Sequence, residues 1–299
     1  MRIEGVKLST FSSNSIKKLR VRVDFGEKLL GSDCWSLPVL TSLELVRPFG
    51  RKNCKLPKSY LDCLPCLQTL LVDGFDLPKD VSLPGLTTLY LVSCKLPING
   101  RGFPALLTLT LDNVAFPKDT SEFFNELCNL RNLTLFFRTI ITAEYCIESP
   151  QLVNLEIDAC VGTISSHSGM ITVLAPEMRN FSCVGLFPIT FGVRELENVS
   201  IKLQDKIIEE PKKMRKNYRR IAGMFRGLRG ARILTLDSKT IEALSAVSDF
   251  LVSSPSPFSN LKYVKVPSGY NESSIFTNLK CYLLSCSPKA TIITTLPEE

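Results

Sequence analysis

Histidine and tryptophan each occur once in this 299-residue chain, as His167 and Trp35, and that scarcity limits its chemistry before any motif is sought. A single imidazole leaves no Ser/His/Asp or Cys/His set to assemble, and His167 lies in the Ser/Gly-rich stretch ISSHSGM (164–170), where it reads as a loop residue. No phosphate-binding loop of the Gly-x-x-x-x-Gly-Lys-Ser/Thr type is present. Gly223, Gly227 and Gly230 fall in a helix-to-strand passage that does not follow a strand, the wrong context for cradling phosphate. The longest uncharged window, 159–176, is diluted by Gly, Ser, Thr and His and lacks the run of about 18 apolar residues that a membrane span needs. The amino-terminal residues carry no apolar run followed by small residues, so no secretory signal is expected and the protein should be cytoplasmic, nuclear or both. No catalytic residue and no cofactor is expected.

Cysteine is not scarce, but its pattern excludes the usual uses. Eleven cysteines are an odd number in a chain far larger than a disulfide scaffold, and most stand beside leucines, where a thiol packs as a small hydrophobe. We read them as reduced. Cys63-x-x-Cys66 is the one pair at metal-ligand spacing; with no second such pair and no histidine nearby, it reads as packing, and no metal site is expected. Asn132, Asn180, Asn198 and Asn271 each open an Asn-x-Ser/Thr sequon, which without a secretory route is a chance match.

What the chain has in excess is leucine, 44 residues, and the excess is periodic. Aligned on L-x-x-L-x-L, the segments LTSLELV (40–46), LQTLLVD (67–73), LTTLYLV (86–92), LLTLTLD (106–112), LRNLTLF (130–136) and LVNLEID (152–158) fall into register. Weaker copies flank them: IKKLRVR (16–22), MRNFSCV (178–184), LENVSIK (196–202), ARILTLD (231–237) and LKYVKVP (261–267). The middle apolar residues of these eleven copies run from Leu19 to Val264, and most spacings match the roughly 20–29 residues of leucine-rich repeats.

The pleat explains the motif. In L-x-L the leucines point to one side of a short strand and the residue between them to the other, so a coil has one apolar edge that only a neighbouring coil can cover. On a helix the two leucines would stand about 200° apart. Pro38, Pro65, Pro84, Pro104 and Pro150, each just before a strand, break any long helix there. In LTTLYLVSCKL (86–96) Cys94 takes the position where Asn or Cys turns the chain inward, and Cys160 takes the same place after LVNLEID. The expected fold is an α/β leucine-rich-repeat solenoid of about eleven repeats, curved, with its parallel sheet on the concave face.

The segments CKLPKSYLDCLPCLQTLLVDGFDLPKDVSLPGLTTLYLVSCKLP (54–97), FRGLRGARILTLDSKTIEALS (225–245) and PFSNLKYVKVPSGY (257–270) resemble the repeat region of plant F-box/LRR proteins, the last two resembling members with an FBD-like end. The resemblance covers nearly the whole chain. It implies the substrate-recognition part of an SCF-type ubiquitin ligase, with repeats that capture a target and an amino-terminal F-box that docks a Skp-type adaptor. Residues 1–36 hold no F-box-like sequence, and Trp35 sits within the repeats in SDCWSLPVL. A fragment, a truncated gene model or a paralogue without an F-box is therefore expected, with a Skp-type adaptor bound only if a longer form supplies the F-box. The expected division is leucine-rich repeats over 1–204, a basic amphipathic helical insertion over 205–230, and FBD-like carboxyl-terminal repeats over 231–299.

Outward strand positions give the candidate recognition surface for a protein substrate. Glu44, Asp73, Tyr90, Thr110, Asp112, Thr134, Phe136, Glu156 and Asp158 stand there, mildly acidic with Tyr90 and Phe136 as aromatic anchors. A merely solvated sheet face is the competing reading for each of them.

A basic block forms the second feature. Between Lys202 and Arg232 stand eleven Lys/Arg and three acids, a local +8 in a chain whose total is +7. Met214, Tyr218, Ile221, Phe225 and Leu228 recur at helical spacing after Pro211, which describes an amphipathic helix with its apolar stripe on the solenoid and Lys212, Lys213, Arg215, Lys216, Arg219 and Arg220 in solvent. Three readings compete for it: a solvated face, an anionic partner, and nuclear import. Nucleic acid is not expected, because Tyr218 and Phe225 fall on the buried stripe and leave no exposed rings for bases to stack on. The function expected is non-catalytic protein recognition. The alternatives are a recognition fragment like those of immune receptors, outside ubiquitin transfer, and an anion or nucleic-acid binder acting through the basic helix.

Overall fold

The computed structural model describes residues 2–4, 12–22, 36–47, 54–97, 99–117, 120–138, 144–159, 169–192, 195–203, 214–252, 255–270, 275 and 277–294. It divides into two compact units, Met1–Phe136 with Glu148–Leu152, and Phe137–Ile147 with Val153–Glu299. Each is a stack of coils of the leucine-rich-repeat type that contributes one short strand per coil to a parallel sheet.

In the first unit the strands Arg2–Glu4, Lys18–Arg22, Ser42–Val46, Thr69–Asp73, Thr88–Val92, Thr108–Asp112 and Asn132–Phe136 pair in chain order, all parallel. In the second the order is Asn154–Asp158, Asn180–Val184, Leu196–Lys202, Ala231–Leu236, Tyr263–Val266 and Thr291–Thr294, again all parallel. The register is the one that the sequence alignment demands. Leu19 lies opposite Leu43, Leu43 opposite Leu70, Leu70 opposite Leu89, and so on to Leu133. The run from Leu155 through Phe181, Val199 and Leu234 to Val264 does the same. All eleven aligned segments are strands. Arg2–Glu4 and Thr291–Thr294 are two more that the L-x-L alignment missed.

Alternation sets the core. From Ser42–Val46 to Asn132–Phe136 every strand buries its second and fourth residues and leaves the first, third and fifth half-buried. Each buried leucine is worth about 1.5–3 kcal/mol relative to exposure, a gain realised only with the neighbouring coil in place.

The prolines have a local task as well. In Leu37-Pro38-Val39-Leu40, Leu64-Pro65-Cys66-Leu67, Leu83-Pro84-Gly85-Leu86 and Phe103-Pro104-Ala105-Leu106 the fourth residue donates its N–H to the first residue's carbonyl, at 3.0 to 3.2 Å. That is a β-turn with proline at its second position, where the fixed φ suits the bend, and both flanking apolar residues point into the core. After four of the strands the chain turns through a left-handed residue: Gly74, Ser93 and Asn113 in the first unit and Gly185 in the second have positive φ. Their N–H groups donate to the last carbonyl of the next strand, Val92, Asp112, Phe136 and Lys202 respectively.

Opposite the main sheet the first unit has short elements, the helices Lys58–Asp62 and Ser121–Glu126 and the pair Cys54–Lys55 with Phe75–Asp76. The second unit has a small sheet of three strands, Tyr145–Glu148, Ile171–Leu174 and Ile189–Phe191, the last two parallel, and then the helices Met214–Gly227, Ser238–Ala246, Ser248–Val252 and Thr277–Leu284. The Met214–Gly227 helix is the one that the apolar spacing predicts; its Ile221, Met224 and Phe225 are buried, with Phe225 packed 5.2 Å from Phe258 and 6.3 Å from Tyr282 between ring centroids. Pro211 lies outside the described residues. Among those described, no helix is long and apolar enough to cross a membrane.

Candidate functional site

Because side chains alternate across each strand, residues at matching positions on neighbouring strands stack into rows on the face opposite the buried apolar pairs. In the first unit the central row is Arg20, Glu44, Leu71, Tyr90, Thr110 and Thr134, and the row at the strand ends includes Asp73, Asp112 and Phe136. Seven of the nine residues expected on the recognition surface thus share one face. Glu44 pairs with Arg20 at 3.2 Å, both largely in solvent, so the pair adds little stability. Asp73 is half-buried; burial first, and the charge of Asp112 second, raise its carboxyl above the ordinary range. Both causes oppose ionisation.

In the second unit Glu156 is exposed and Asp158 half-buried, both on the Asn154–Asp158 strand. One carboxylate oxygen of Asp158, Oδ1, is out of solvent with no hydrogen-bond partner among the described residues. Next to them runs a feature that the sequence reading missed, a ladder of asparagine amides. Asn180 Nδ2 donates to Asn154 Oδ1 at 2.6 Å, and Asn198 Nδ2 donates to Asn180 Oδ1 at 2.8 Å. The sequons find their explanation here. A strand that turns Asn and Ser/Thr outward around one inward apolar residue necessarily spells Asn-x-Ser/Thr, as in Asn180-Phe181-Ser182 and Asn198-Val199-Ser200. The signal was legible as asparagines in one column of the alignment.

The same face continues over Ala231–Leu236, Tyr263–Val266 and Thr291–Thr294 with Ile233, Thr235, Tyr263, Lys265, Thr291 and Ile293. The alternation in LKYVKVP shows Tyr263 and Lys265 to be outward. Tyr263 is 43% exposed, one of the few large hydrophobic side chains so open among the described residues.

The basic patch is described in part. Lys212 and Lys213 lie outside the described residues, and Arg215 and Lys216 are placed only as backbone in the first turn of the Met214–Gly227 helix. Arg219 is exposed. Arg220 is only half open to solvent rather than fully solvated as expected, and burial lowers its pKa from the ordinary value. It directly precedes Ile221 and stands one turn before Met224, both fully buried, so its stem follows the packed side of the helix.

Cys94 is buried at the inward turn where the repeat pattern places it, and Cys183 is buried on its strand. Burial raises both thiols to about 12, which keeps them protonated and inert. Cys63 is half-buried and Cys66 exposed, and among the described residues no group of three or more His, Cys, Asp or Glu side chains is placed to hold a metal. Trp35, Cys160, His167 and Asn271 lie outside the described residues. A polar cleft of about 440 Å³ in the second unit is lined by Glu177, Arg179, Glu195, Glu197 and Arg232 among others, with Arg232 ion-paired to Glu195. It mixes both signs of charge and assembles no nucleophile with a base.

No protein-family model and no curated protein matches the chain. Among solved structures, a crystal structure of a TLR13–ssRNA13 complex is similar over 88% of this chain, at 14% identity and a TM-score of 0.39. The chain spans 48%, about half, of the length of that structure's chain. The coils themselves, one parallel strand each with leucines stacked in register, make this a leucine-rich-repeat-type protein.

Proposed function

We propose that the chain is a non-catalytic protein-recognition module whose open sheet face captures a protein target, of the kind found in plant F-box/LRR subunits of ubiquitin ligases. The observation that carries the reading is the face itself. On both units the strands bury the apolar pair of each repeat and present rows of mostly polar, charged and aromatic residues at fixed spacing, broken by a few apolar positions such as Leu71 and Ile233. The resemblance of segments 54–97, 225–245 and 257–270 to F-box/LRR repeats supports the narrower assignment, in which a captured target is passed to ubiquitin transfer and a Skp-type adaptor joins only through an F-box.

The test is recovery of the tagged chain from plant-cell extract, with and without proteasome inhibition, beside a variant carrying Tyr90→Ala and Phe136→Ala. A partner held by the wild type and lost by a variant of unchanged circular dichroism supports recognition by this face. Cullin and adaptor in the same fraction support ligase membership; a stable single partner without them counts against it. A partner held equally by both proteins removes the open face from the proposal.

A further inference from the structure

We infer that the open face of the last four strands of the second unit is a docking site for an acidic segment of a partner protein that carries an apolar side chain. The inference rests on the recognition reading above and adds the partner's chemistry. Along the first row of this face the side chains change character. Asn154, Asn180 and Asn198 satisfy one another's amides, and the next positions in register are Ile233, Tyr263 and Thr291. The polar ladder thus stops at Ile233, and one strand further stands an aromatic ring 43% exposed. Beneath, Leu234 and Val264 are fully buried, so the ring stands on a packed support.

On the ring's own strand the charge is positive. Lys202 and Lys265 stand on the face, and exposed Lys262 directly precedes Tyr263. Among the described residues, no Asp or Glu occupies an outward position flanked by these strands' inward residues: those positions are Asn198, Ser200, Lys202, Ile233, Thr235, Tyr263, Lys265, Thr291 and Ile293. The nearby acids are at the margin or engaged. Glu197 precedes Asn198, Glu195 is paired with Arg232, and the Asp237 carboxylate accepts the Thr240 N–H. A ring that a partner must desolvate, with Lys262 and Lys265 beside it and the uncharged Ile233 and Thr291 opposite it, favours an acidic segment with one hydrophobic residue over a basic or a neutral one.

Panning a phage library of random twelve-residue peptides against the full chain tests this, with binding of the enriched peptides then measured by fluorescence anisotropy on wild type, Tyr263→Phe, Tyr263→Ala and the double variant Lys202→Glu/Lys265→Glu. The expected result is enrichment of Asp/Glu around an aromatic or aliphatic residue, binding that weakens with salt, retention by Tyr263→Phe, and losses on the order of tenfold in the other two variants at unchanged circular dichroism. Enriched peptides without excess acid, or equal binding by Tyr263→Ala, overturn the inference. In that event the recognition reading still stands if Tyr90→Ala with Phe136→Ala releases the partner from extract. If no peptide is enriched and no partner is retained, both fall.

Discussion

Asn180 stands between two like residues on neighbouring strands, donating its amide to Asn154 at 2.6 Å and accepting one from Asn198 at 2.8 Å. Each amide in such a ladder gives a hydrogen bond to its neighbour, which lets a half-buried row of polar groups cross the sheet with partners among themselves.

Replacing the middle member should therefore cost more than an ordinary face position. Asn180→Asp removes the donor toward Asn154 and sets a carboxylate against the carbonyl oxygen of that amide. We expect a loss of about 1–3 kcal/mol in denaturant-unfolding free energy near neutral pH, against well under 1 kcal/mol for Ser182→Ala two residues on. Equal effects at the two positions would show that the ladder is incidental.

Two glycines of one helix give opposite predictions. A Cβ on Gly227 would lie 2.2 Å from the Ile189 carbonyl oxygen and 3.1 Å from its carbon, whereas nothing lies within 4 Å of one on Gly223. Gly227→Ala must push the helix end off the Ile189–Phe191 strand and should lower the thermal midpoint. Gly223→Ala should raise stability by about 0.5–1 kcal/mol through helix propensity and a stiffer unfolded chain. Thermal unfolding followed by circular dichroism separates them, and a stable Gly227→Ala protein would contradict the packing described.

Thr240 ties a helix to a strand through a fully buried hydroxyl. Its Oγ1 accepts the Leu203 N–H at 2.7 Å and donates to the Ile201 carbonyl at 3.3 Å. Thr240→Val keeps the shape and orphans both backbone groups, for an expected cost of about 1–3 kcal/mol. Thr240→Ser, which keeps the hydroxyl, should recover much of it. A Thr240→Val protein as stable as wild type would show that the two hydrogen bonds add no net stability.

Asp73 makes stability depend on pH in a stated direction. Burial and the Asp112 charge raise its carboxyl above the ordinary value of 3.8, so the folded state favours the protonated form. That contribution is complete below 3.8 and is lost as pH rises through the raised folded value. Asp73→Asn should thus be more stable than wild type near neutral pH and indistinguishable from it near about pH 3, as read from urea midpoints. A gain of equal size at both pH values would place the effect elsewhere.

The strands were legible because L-x-L is a statement about register. Any slip by one residue would turn Leu43, Leu70, Leu89 and Leu109 outward together, so a single pairing satisfies the whole series. The Met214–Gly227 helix was legible for the same reason at a different period. Arg2–Glu4 and Thr291–Thr294 were not, since RIE and TIIT carry no repeat motif and are strands because a neighbouring coil offers them a ladder to join. The face residues from Glu44 to Asp158 could be named from alternation. Their surroundings could not: the half-burial of Asp73 and Arg220 depends on what packs beside them, and the bonds of Asn154, Asn180 and Asn198 depend on which coils become neighbours.

By itself the sequence determined the coil, its inward leucines, its proline turn and the parallel order of its strands, since all four follow from local sterics and a repeating apolar edge that must be covered. Only the tertiary structure decided that three asparagines bond in a row, that Gly227 presses on the Ile189 carbonyl, and that Tyr263 stands open among lysines. Those are relations between residues far apart in the chain, and periodicity fixes which way a side chain points without fixing what it meets.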